Sequence, residues 1–178
     1  MNRMLLIRPL FVFLVIVTIF PSLRAQDRNK TVLDEETDKP MLIGPCTREA
    51  FSDTSFSGWF ISAYDEYEPD SLTVKEIAYN SDSIKTIIVM GTWCSDSREQ
   101  VPHFFKIMDE SGYPGNNIRM FCVNREKTDS LGNVDSLDIE LVPTFIFYRK
   151  GKEIGRIIET PLQTMEEDIY GILIESTE

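Results

Sequence analysis

Several things are scarce in this 178-residue chain, and each scarcity excludes something. Three cysteines are too few for a small scaffold held together by disulfides. A single histidine leaves a histidine-built metal cage, or a serine–histidine–aspartate triad, resting on His103 alone. Basic residues number 18 against 29 acids, for a net charge of −11, so a basic nucleic-acid surface is excluded. Nine glycines and nine prolines, with 42% apolar residues, exclude collagen-like and wholly disordered chains. The length suits one domain and a short extra segment. Only one long apolar run exists, and it lies at the amino terminus.

That run extends from Leu10 to Phe20 and is broken only by Thr18. Arg3 and Arg8 precede it, Pro21-Ser22 ends it, and Ala25 stands before a polar stretch. A basic start, an apolar core of about 11 residues and a small residue at the end make a secretory signal. A membrane span needs about 20 apolar residues, so the run is short for one. Cleavage after Ala25 is the leading reading. An uncleaved anchor, the only membrane association expected, is second, and a buried core helix is third. With residues 1–25 removed, three arginines go and no acid does, so the remainder is more acidic than the whole. The mature chain is expected outside the cytoplasm, in a periplasm-like space where thiols meet oxidants.

Residues 26–45 are polar and carry Asp34, Glu35, Glu36 and Asp38; they read as a loose arm. Residues 46–178 form the expected domain. Phe56, Trp59, Phe60, Ala63, Tyr64 and Tyr67 mark one face of an amphipathic helix that packs as core. Leu72 to Tyr79 suggests a second short helix. Together they make a helical extension ahead of the sheet.

Ile84 to Met90 has the pattern of a buried strand. Val101, Phe104, Phe105 and Met108 then give a helix from about Cys94 to Glu110, and Ser111 to Gly115 break it. Ile118 to Val123 is a strand. The polar segment from Asn124 to Leu141 is expected to hold a short helix. Val142-Pro143-Thr144 opens a strand to Tyr148, Lys150-Gly151 turns it, and Glu153 to Ile158 returns. Thr160-Pro161 is expected to start the last helix as cap and first residue. This order implies a mixed α/β sheet with helices on both faces.

The chemistry concentrates at Trp93-Cys94-Ser95-Asp96-Ser97. Cys94 stands between a strand end and a helix start. The first helical turn offers unpaired N–H groups and partial positive charge, a field that favours thiolate, the nucleophilic form. Here the chain resembles the thioredoxin-like superfamily over about residues 84–175. The parts are Trp93-Cys94 after a hydrophobic strand, Pro102 within the following helix, Val142-Pro143-Thr144 before a strand, and the Gly151 hairpin. It looks like an exported bacterial thioredoxin-family protein with a monothiol Trp-Cys-x-x-Ser motif. The resemblance implies a thioredoxin-like fold, a mixed central sheet flanked by helices. It also implies that the proline matching Pro143 is cis and faces Cys94, with Trp93, Val142 and Pro143 docking the substrate backbone.

Departures from the pattern narrow the chemistry. The second cysteine of a dithiol motif is replaced by Ser97. The family's buried acid falls near Ile88, which accepts no proton. Asp96 sets a negative charge near Cys94 and opposes thiolate formation. A monothiol still attacks a disulfide and forms a mixed disulfide. An outside thiol, the substrate's own second thiol, or another cysteine of this chain then releases it. The leading reading is thiol–disulfide exchange on protein thiols or disulfides, with Cys94 as nucleophile and Ser97 shaping the site. The alternative is a redox-inactive binding module on the same fold. A peroxide-reactive cysteine and a buried inert one rank below these.

Cys46 follows Gly44-Pro45 in an expected loop and is a candidate resolving partner of Cys94 or of another protein. Cys122 reads as a buried structural thiol in its strand. His103, more than two helical turns beyond Cys94, reads as a surface or half-buried residue. A zinc site from Cys94, His103 and Cys122 lacks any close ligand pair. No metal and no cofactor is implied.

Overall fold

A computed structural model describes residues 28–129 and 131–175. The expected signal segment, 1–25, lies outside the described residues. Six strands form one sheet in the order β1-β2-β4-β3-β5-β6. They are β1 (Lys30–Leu33), β2 (Pro40–Cys46), β3 (Ile84–Met90), β4 (Ile118–Cys122), β5 (Thr144–Arg149) and β6 (Lys152–Ile158). β3 and β4 are parallel, and every other neighbouring pair is antiparallel. Four helices accompany them: α1 (Thr54–Glu66), α2 (Ser71–Asn80), α3 (Ser95–Ser111) and α4 (Met165–Glu175).

Local chemistry accounts for the helix boundaries. Asp53 caps α1 by accepting the Ser55 N–H, and Asp70 caps α2 by accepting the Thr73 N–H. Gly112 ends α3 in the left-handed conformation at φ 71°, which glycine adopts without steric cost. α4 begins later than expected. Thr164 and Glu167, not Thr160-Pro161, make its start: the Thr164 hydroxyl accepts the Glu167 N–H, and the Glu167 carboxylate accepts the Thr164 N–H. That reciprocal capping box satisfies two otherwise unpaired donors.

Strand alternation divides the core cleanly. Leu42, Ile88, Met90, Met120, Phe145 and Phe147 face one side. Buried apolar residues from all four helices join that same cluster, including Phe56, Ile77, Phe104 and Ile169. Val89, Phe121 and Val123 face the other side, where Val134 and Val142 cover them and Leu137 and Ile139 pack alongside. The mixed sheet is flanked by helices, but its second face is covered by the 124–143 connection. The short helix expected there is absent among its described residues, which form turns. Asp129 explains part of this: its carboxylate accepts both the backbone and side-chain N–H groups of Asn133, a local alternative to helical bonding. Phe104, Phe145 and Phe147 are almost wholly buried at the centre of the helical side. Truncating one of them to alanine costs about 3–5 kcal/mol.

The expected loose arm is ordered from Lys30 onward. Lys30 pairs with Ile43 and Leu33 with Pro40, so β1 and β2 form a hairpin at the sheet edge. The acidic residues that suggested disorder occupy its turn. There Asp34 accepts the Thr37 hydroxyl at 2.6 Å, and the Asp38 N–H bonds the Asp34 carbonyl at 2.8 Å. Met41, Leu42 and Ile43 are buried, which repays the ordering of the turn.

Candidate functional site

β3 ends at Met90, in the interior of the sheet, and Gly91-Thr92-Trp93 turns the chain from its carboxyl end into α3. The Cys94 N–H bonds the Gly91 carbonyl at 3.0 Å, which closes the turn. Cys94 is the residue that caps α3, in an extended conformation. It is partly exposed, unlike the other two cysteines. Its sulfur lies 3.1 Å from the Val142 carbonyl oxygen and 3.9 Å from Oδ2 of Asp96. The Val142–Pro143 peptide is cis. The structure therefore brings together Trp93, Cys94, Ser97, Val142 and Pro143, from two segments far apart in sequence.

Several contacts hold the turn rigid. Thr92 is buried, and its hydroxyl accepts the Leu42 N–H at 3.1 Å, which ties the turn to β2. Arg98 donates to the Thr92 carbonyl at 2.6 Å. Ser97 is fully buried, and its Oγ accepts the Gly91 N–H at 3.2 Å. The residue in the second-cysteine place is thus a structural partner of the turn. Trp93 donates from Nε1 to the Val123 carbonyl at 2.9 Å. Its ring lies against Gly91, where an added Cβ would come within 2.6 Å of the indole. The Arg125 guanidinium stands 5.1 Å from the ring centroid. Arg125 in turn forks onto Asp34 at 2.9 and 2.8 Å and reaches Glu36 at 3.0 Å. The Arg125 fork, helped by the Thr37 hydroxyl, holds the Asp34 carboxyl well below the usual carboxylate range.

Thr92, Arg98, Arg125 and Asp34 support the turn and the Trp93 ring from outside the thiol's own contacts, and no sequence pattern announces them. No spacing rule connects Asp34 with a residue 91 positions away, and Arg98 looks like any exposed helical charge.

The structure does not bring Cys46 to Cys94. Cys46 ends β2, opposite Met120, and is buried on the helical side of the sheet. Cys94 packs with the cluster on the other side. The thiol beside Cys46 is that of Cys122, whose own register partner is Gly44. Burial pushes the Cys122 thiol well up, and the neighbouring Cys46 thiol adds to this. All three cysteines are free. Ile88 is fully buried at the place of the family's acid. His103 stacks on Tyr67 with centroids 3.9 Å apart, and burial lowers its pKa. Among the described residues, no three His, Cys, Asp or Glu side chains converge as metal ligands. No helix among them is long and apolar enough to cross a membrane.

No family model matches the chain. It is 25% identical over 91 residues to a thioredoxin-like protein of Acanthamoeba polyphaga mimivirus. The chain has a thioredoxin-like fold. The match to the viral protein covers 49% of this chain and 64% of that relative, so the likeness spans under two thirds of the relative's length. Among solved structures, a Pseudomonas aeruginosa protein of unknown function overlays with a TM-score of 0.55 at 15% identity. That overlay covers 76% of this chain and 95% of the other. An HIV epitope scaffold overlays with a TM-score of 0.51 at 16% identity, covering 75% and 94% of the two chains. Both likenesses concern the fold alone.

Proposed function

We propose that this thioredoxin-like domain exchanges disulfides on protein substrates through Cys94 as a single active thiol. The observation that carries the reading is the placement of the Cys94 sulfur. It is partly exposed at the start of α3 and lies 3.1 Å from the Val142 carbonyl, beside the cis Val142–Pro143 peptide. A helix start supplies N–H groups and partial positive charge to a developing thiolate.

In the first step the Cys94 thiolate attacks one sulfur of a substrate disulfide. A Cys94–substrate bond forms, the substrate S–S bond breaks, and the departing sulfur leaves as a thiolate that takes a proton. In the second step a thiol attacks the mixed disulfide and restores Cys94. When that thiol belongs to the substrate, the outcome is isomerisation with no net electron transfer. When it is an outside thiol, a further thiol of the same class completes a new disulfide while the substrate is reduced by two electrons. Ser97 cannot perform the second step, and Cys46 and Cys122 lie on the other side of the sheet.

The proposal includes export. Arg3, Arg8, the Leu10–Phe20 run and Ala25 support removal of residues 1–25 and work in a periplasmic compartment. Mass measurement of exported protein is then expected to give an amino terminus near Gln26; a retained apolar segment favours the anchor. For the chemistry, the test is the rate with a model peptide disulfide. Cys94→Ser is expected to abolish it and Cys122→Ser to leave it in place. Equal rates for wild type and Cys94→Ser would refute the proposal and leave a binding module.

A further inference from the structure

We propose that Arg125 and Asp34 are positioning residues for Trp93, so that the amino-terminal hairpin sets how the site grips a protein substrate. The inference rests on the exchange reading of Cys94 and extends it to substrate recognition.

Trp93 immediately precedes Cys94 and shares its cluster with Val142. Three contacts fix its ring. The Gly91 backbone lies against it so closely that any side chain at Gly91 would collide with the indole. The Val123 carbonyl takes its N–H. Arg125 stands over the ring at cation–π distance. The first two contacts come from the strand ends themselves; the third depends on where Arg125 is held.

Arg125 is held by the hairpin. A planar guanidinium matches a carboxylate with two parallel hydrogen bonds, which fix orientation as well as distance. Asp34 provides both acceptors and is itself buried. Its carboxylate is oriented from its own turn by the Thr37 hydroxyl and the Glu36 N–H. Glu36 meets the remaining side of the guanidinium. The chain of contacts runs from the β1–β2 turn through Arg125 to Trp93, and ends at the residue bonded to Cys94. A guanidinium whose in-plane edges are turned to Asp34 and Glu36 keeps its face free for the ring.

The consequence is a split between chemistry and grip. None of these contacts touches the Cys94 sulfur, so a small uncharged disulfide should react alike with or without them. A peptide disulfide that packs along Trp93 should bind less well when the ring is free to swing.

The test uses the full chain carrying Trp59→Phe, which leaves Trp93 as the sole tryptophan. Acrylamide quenching of Trp93 fluorescence, and KM and kcat with a peptide disulfide and a small uncharged disulfide, are measured for Asp34→Asn, Arg125→Met and the milder Arg125→Lys. Expected is a roughly twofold rise in quenching and about a fivefold rise in peptide KM for the first two, the size of one lost cation–π contact. Arg125→Lys should fall between them and wild type, and the small-disulfide rate should not move. Quenching and peptide KM that match wild type in all three variants would overturn the proposal. If quenching rises but no form of the protein, wild type included, reacts with either disulfide, the positioning of Trp93 is supported and the exchange reading fails.

Discussion

The Cys94 sulfur lies 3.1 Å from the carbonyl oxygen of Val142, a residue 48 positions later in the chain. One partner ends the β3 turn and the other precedes β5, and these two strands are hydrogen-bonded neighbours. Val89 pairs with Thr144, so the ends of β3 and β5 coincide in space. The sheet register thus joins the proposed nucleophile to the backbone carbonyl at the proposed docking site.

Asp96 offers the nearest handle on thiol reactivity. Its Oδ2 stands 3.9 Å from the Cys94 sulfur, and a negative charge there repels a thiolate. Asp96→Asn removes the charge and preserves the shape. Alkylation of Cys94 by iodoacetamide at neutral pH is expected to speed up by about two- to tenfold. A slower reaction would show that Asp96 serves Cys94 in some other way.

Much of this arrangement was legible in the sequence because it is locally encoded. The Ile84–Met90 run became β3 with the same limits, because its Ile87–Met90 part is continuous and apolar as a buried central strand requires. Lys150-Gly151 became the β5–β6 turn, and both residues take positive φ. Local signals misled where two competed. Thr160-Pro161 and Thr164-x-x-Glu167 are both helix starts on paper, and the one that caps reciprocally won. The Asp34–Asp38 run looked like solvated charge, because a buried Asp34 makes sense only once Arg125 is beside it. The proximity of Cys46 to Cys122 follows from strand order, which no local pattern states.

Gly91 has a role that its neighbours define. A Cβ there would lie 2.6 Å from Nε1 and Cε2 of Trp93. Gly91→Ala must push the indole aside and strain its bond to Val123, at a cost of about 1–3 kcal/mol. A lowered Tm together with a shifted Trp93 emission is expected. An unchanged emission would mean that the ring accommodates the methyl group.

His103 predicts the direction of one pH effect. Burial against Tyr67 lowers its pKa from the ordinary 6.5, while Glu99 and Glu166 pull the other way more weakly. The unfolded chain therefore takes up this proton before the folded one does. Stability is full above the ordinary value and falls as pH drops below it, until the folded histidine also protonates. His103→Phe keeps a stacked ring and removes the proton site, so this part of the pH dependence should vanish. Denaturant unfolding of both forms from pH 7.5 to 5 checks it, with ranges set about the ordinary histidine value. A loss of stability just as steep in His103→Phe would assign the effect to other groups.

The central claim is that Cys94 works alone, and mass mapping of trapped adducts tests it most directly. Wild type and Ser97→Cys are each treated with a disulfide that joins two separate peptides, in the absence of added thiol, and the released peptide thiol is removed. In wild type the peptide should be found on Cys94 and should stay there until a thiol is added. In Ser97→Cys the new sulfur lies about one helical turn away and should release the peptide by forming a Cys94 disulfide. Wild-type protein that sheds the peptide unaided, and loses that ability on Cys46→Ser, would contradict the account and make Cys46 the resolving cysteine.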